Sequence, residues 1–128
     1  MRSSIVALAF ALAMGTSAAH AQSAPATVTI DPMDALGSTL VGLEIHNMAR
    51  QDVGEIVDLV ISPSNTVKGY IVSVGGFLGI GTKYIVLAPS AVTISYNEAE
   101  SAWKATMDVT KDQISAAPEY EYDGKFDD

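Results

Sequence analysis

"GEIVDLVISPSNTVKGYIVSV", residues 54–74, holds two runs of β-branched and apolar residues on either side of Pro63-Ser64-Asn65-Thr66. Proline fixes φ and asparagine tolerates the left-handed region, so these four residues form a turn between two strands. In 54–62, strict alternation puts Val57, Leu59 and Ile61 on one face and Ile56 and Val60 on the other. That strand is apolar on both sides.

Similar short runs continue in both directions. Upstream, "LVGLEIHNM" (40–48) alternates Val41, Leu43 and Ile45 with Glu44 and His46, and "ARQDVG" turns the chain. Downstream come "KYIVLA" (83–88), Pro89, which limits further ladder pairing, and "AVTISY" (91–96). After "NEAES", Trp103, Ala105, Met107 and Val109 alternate with Lys104, Thr106 and Asp108, which places Trp103 on the buried face. Thr110 and Gln113 have capping-box spacing, and Pro118 stops the short helix they start. Short strands at close spacing predict an all-β fold, a small barrel or sandwich, with one short C-terminal helical turn.

Between 74 and 83 lies a glycine-rich segment, with Gly75, Gly76, Gly79 and Gly81 surrounding Phe77, Leu78 and Ile80. A phosphate-binding loop needs Gly-x4-Gly-Lys-Ser/Thr running into a helix. Here Gly76-x4-Gly81 is followed by Thr82-Lys83, in reversed order, and then by a strand. The segment therefore turns a corner, its glycines supplying positive φ. Phe77 and Leu78 must then fold back over the barrel end or meet a partner.

At the N-terminus, Arg2, the apolar run Ile5–Met14 and Ala19-His20-Ala21 have the three parts of a secretory signal peptide, residues 1–21. The run is too short to anchor the chain, and no later segment approaches the roughly 20 apolar residues of a membrane span. Export to the periplasm is expected, with a mature N-terminus at Gln22. About 107 residues then remain, enough for one core. Residues 22–37 form a flexible leader, 38–118 the domain and 119–128 an acidic tail in which Tyr120, Tyr122 and Phe126 are spaced to dock, although tails so charged usually fray.

The formal net charge of −8 falls to about −9 once Arg2 is removed, which argues against nucleic acid. The absence of cysteine excludes thiol catalysis, zinc-thiolate sites and stabilising disulfides. His46 is the one histidine beyond the signal, and Glu44 shares its strand face. They permit an ion pair or a weak metal site but supply no nucleophile. Glu55 and Asp58, three apart on a strand, fall on opposite faces. Asp123, Asp127 and Asp128 lack calcium-loop spacing. Neither a catalytic set nor a cofactor site emerges.

Val41-Gly42, Gly54-Glu55-Ile56 with Asp58, the run Gly75 to Gly81 with Lys83-Tyr84, Pro89, and Thr110 with Ala117-Pro118 and Tyr120 together resemble the PRC-barrel family, named for the barrel of the photosynthetic reaction-centre H subunit. The resemblance spans about residues 38–118. It implies a small, strongly bent β-barrel of five to six strands that works through protein–protein contact, without a shared catalytic residue set. An exported stand-alone member is the closer comparison, since the chain has no membrane helix and carries a cleavable signal.

The two-sided second strand needs cover on its outer face, from the leader, the tail, the Phe77-Leu78 tip or a second copy across a two-fold axis. The expected function is a non-catalytic interaction or assembly module, self-associating through Ile56, Val60, Phe77 and Leu78. The alternative is a barrel that binds a small molecule or ion, which would require a concave pocket of convergent polar groups.

Overall fold

The computed structural model describes Gly15 and residues 23–75 and 81–127. The signal-peptide segment, apart from Gly15, and the loop residues Gly76, Phe77, Leu78 and Gly79 lie outside the described residues. Every run picked out by alternation contains a strand: β1 (Glu44–His46), β2 (Asp52–Ile61), β3 (Val67–Val74), β4 (Lys83–Leu87), β5 (Thr93–Asn97) and β6 (Ala102–Thr106). Two short helices, α1 (Gly37–Leu40) and α2 (Lys111–Ser115), flank them. The first run is mostly not strand, because α1 takes Leu40 and Gly42 enters the left-handed region at φ 94°.

Local chemistry accounts for the turns. Asn65 adopts φ 63° between β2 and β3. At the β1–β2 turn the Asn47 side-chain oxygen accepts from the N–H groups of Ala49 and Gln51, which leaves Arg50 at φ 61°. Pro89 opens a 3-10 turn, Pro89–Ala91, between β4 and β5. The capping box of α2 is complete: Thr110 Oγ1 accepts from Gln113 N at 3.1 Å and Gln113 Oε1 from Thr110 N at 2.9 Å.

The strands form one six-stranded all-β sheet in the order β4-β3-β2-β1-β6-β5. All neighbours are antiparallel except β1 and β6, which are parallel. The ladder does not close: β4 and β5 remain its two edges, so the expected barrel is open between them. Its interior holds Ile45, Val53, Ile56, Val72 and Ile85, with Ile114 of α2 and Leu40 of α1 as plugs.

β2 corrects the alternation argument. Its register against β3 skips Val57, passing from Ile56↔Val72 to Asp58↔Ile71. An extra residue on one strand inverts the facing of everything beyond it and bends the strand. Ile56 is therefore fully buried in the core, not on the outer face, and Leu59 packs inward beyond the bulge. Val60, opposite Gly69, does face outward. Glu55 opposes Ser73 and Asp58 opposes Ile71, so the two carboxylates share one face after all.

Trp103 is half-buried and lies against Tyr96 of β5 with ring centroids 5.4 Å apart. It shares the inward face of β6 with Ala105, as alternation requires, but it pairs with exposed Tyr96 on the edge strand β5 and so lies outside the buried core cluster.

Candidate functional site

The outer face of β2, β3 and β4 carries Val60, Ile71, Tyr84 and Val86 around Asp58. Ile71 belongs to no part of the central core, yet it is only 5% exposed. The acidic tail covers it. Tyr120 N donates to Tyr84 O at 2.7 Å, forming an antiparallel bridge on the free edge of β4. Tyr84, Tyr122 and Tyr120 then stack edge to face, with centroids 5.2 and 5.0 Å apart. A cleft of about 270 Å³ remains between Asp58, Val60 and Ile71 on the sheet and Tyr120, Tyr122 and Phe126 on the tail.

Lys83 anchors the start of this strap. Its Nζ donates to the carbonyls of Ser115, the last residue of α2, and, at 2.8 Å, of Ala117 just beyond it. A cation is favoured there, where helix carbonyls lack intrahelical partners. Farther along, burial first, and then the nearby charge of Asp58, raise the Tyr122 phenol above its ordinary value. Docking of the tail leaves Tyr84, Val86 and Phe126 37%, 45% and 55% exposed. Ile61 and Val67 are also exposed, at the β2–β3 turn.

Of the interaction residues expected from sequence, the structure places Val60 on this face, half-buried, and Ile56 in the core. Phe77 and Leu78 lie outside the described residues. Gly75 is needed for a reason other than positive φ: a Cβ there would stand 2.6 Å from Thr82 Cα, where the two arms of the loop meet. Gly81 has neither positive φ nor a close neighbour. The sequence marked Tyr120 and Tyr122 as able to dock, in a tail whose charge favours fraying, and it did not show the Lys83 anchor. The signal for the two tyrosines was the spacing Tyr120-x-Tyr122, which matches one face of an added strand.

The polar candidates come together only in part. His46 Nε2 stands 3.8 Å from Glu44 Oε2, on the shared face expected. A depression of about 440 Å³ beside His46 is lined by Arg50, Asn97, Glu100 and Lys104. Glu100 Oε2 meets Lys104 Nζ at 2.7 Å, and that hydrogen bond and charge lower the Glu100 pKa. Lys104 and Glu100 are thus already paired at this surface. Among the described residues, no three His, Asp or Glu side chains converge as metal ligands.

A family model described as PRC-barrel domain matches residues 33–114, more than half of the chain. The chain belongs to the PRC-barrel family. No curated protein matches it significantly. The PRC-barrel match takes in all six strands and ends at Ile114. The tail that covers Ile71, and the carbonyls of Ser115 and Ala117 that hold Lys83, lie beyond that boundary. The outer face is therefore finished by residues outside the matched barrel.

Proposed function

We propose that this PRC-barrel is an exported, non-catalytic interaction module that binds protein surfaces, a second copy of itself first among them. The observation that carries this reading is Tyr84 and Val86, exposed on one face of β4 in a well-packed sheet, with Phe126 exposed on the tail docked over that sheet. Apolar side chains fixed two residues apart on one face of a strand, as Tyr84 and Val86 are, gain from exclusion of water when a protein covers them. The paired charges beside His46 lend no comparable support to a small-molecule or ion-binding barrel. Among the described residues, no helix is long and apolar enough to cross a membrane.

The test has three parts. Intact-mass analysis of protein from the periplasmic fraction should give a chain beginning at Gln22; a species retaining Met1 there overturns the export reading. Light scattering on the wild type should give a dimer, and a monomer at every concentration overturns self-association. Cross-linking in cells should yield protein adducts that Val86→Asp reduces while circular dichroism stays unchanged. Adducts indifferent to Val86→Asp would remove this face from the reading.

A further inference from the structure

The leader and the open edge of the sheet share one unmet need. Residues 23–30 form neither helix nor strand, are exposed throughout, and make no hydrogen bond with another described residue. Within them, Thr27-Val28-Thr29-Ile30 alternates polar and β-branched apolar residues, and Val28 and Ile30 are 93% and 67% exposed. This is strand-forming sequence without a strand partner.

The sheet has two edges, and among the described residues only one is covered. Tyr120 pairs with β4 at Tyr84, whereas β5 pairs with β6 alone. β5 reads Thr93-Ile94-Ser95-Tyr96-Asn97, without the charge or proline that usually blunts an edge strand. Its two faces differ. Ile94 opposes buried Ala105 and packs on the core, and Tyr96 opposes Trp103, so these residues form an apolar face that stops at the edge. Thr93 and Ser95 face the other way and are exposed.

We infer that residues 27–30 of one copy add as a strand to the β5 edge of a second copy, and that reciprocal exchange closes a two-fold dimer. Val28 and Ile30 then extend the Ile94, Tyr96 and Trp103 face, while Thr27 and Thr29 fall beside Thr93 and Ser95 on the wet side. The backbone groups of both segments gain the partners they lack. The occupant is a second copy because each chain carries both halves of the match and leaves its own leader off its own β5. This inference rests on the self-association reading above and specifies its geometry.

The double variant Val28→Pro, Thr29→Pro is the first test, since neighbouring N–H groups of a strand point to opposite sides and one of the two must face β5, at positions that make no contact needed by the fold. The dimer should dissociate at least about tenfold more readily by light scattering, with unchanged circular dichroism. The second test uses the absence of native cysteine: purified Thr29→Cys and Ser95→Cys chains are mixed and treated with a short bis-thiol cross-linker. A mixed adduct joining one chain of each kind supports the exchange. Absence of that adduct, or a link formed within a single Thr29→Cys, Ser95→Cys chain, overturns it. A dimer unaffected by Val28→Pro, Thr29→Pro overturns the exchange and leaves self-association standing, whereas a monomeric wild type overturns both.

Discussion

Replacing Ile56 by alanine removes three carbon atoms from a site with no solvent exposure, where the side chain packs in the cluster of Val53, Val72 and Ile85. At about 0.8 kcal/mol per buried methylene, the transfer loss alone is about 2.4 kcal/mol. The surrounding strands are tied by their ladders and cannot fully collapse into the space, so a cavity contribution brings the expected cost to about 3–4 kcal/mol. In a domain of this size that corresponds to a fall of roughly 12–30 °C in Tm. Val60→Ala is the control: two carbons lost from a half-buried outward position should cost less than about 1 kcal/mol. Urea unfolding followed by Trp103 fluorescence suits both variants, because Trp103 lies on β6 against Tyr96, away from β2. A cost below about 1 kcal/mol for Ile56→Ala, or a larger one for Val60→Ala, would show that the bulge at Val57 does not set the facing of β2.

Gly75→Ala should destabilise the domain by about 1–3 kcal/mol, since the added Cβ meets backbone at Thr82, while Gly81→Ala, with open space around it, should stay within about 0.5 kcal/mol; thermal unfolding of the pair decides. Thr110→Ala removes the capping box of α2 and should cost about 1 kcal/mol, with faster amide exchange in α2 and recovery in Thr110→Ser. For Tyr122, a folded-state pKa raised above the ordinary 10.0 means that its share of tail docking is complete below about pH 10 and is lost as the pH rises through the raised value. Tyrosinate absorbance should show a late-titrating phenol that disappears in Tyr122→Phe and titrates earlier in Asp58→Asn; an unchanged profile in Tyr122→Phe would place that residue in solvent.

Much of the candidate surface was legible from residue types alone. Val60 faces outward as alternation requires, His46 and Glu44 share a face, and the turn with Pro63 and Asn65 falls between β2 and β3. The aromatic strap was legible only as spaced aromatics able to dock. Tyr120 and Tyr122 lie in a segment whose charge favours solvation, and what holds them is a β-bridge to Tyr84 and an anchor from Lys83, both distant in sequence. Nor could residue types show that Gly75 serves a close approach, because its neighbour Thr82 lies across the loop.

Within the chain's own local rules, sequence by itself determined the strand runs, the left-handed Asn65 turn, the capped α2 and the all-β class, because backbone preference and short-range hydrogen bonds act over a few residues. Only the tertiary structure decided which side of β2 is inside, that the ladder stays open between β4 and β5, and that the tail closes the outer face. Periodicity counts residues along one strand, whereas facing depends on register against the next, and a single extra residue at Val57 inverts it without leaving any mark in the spacing of apolar side chains.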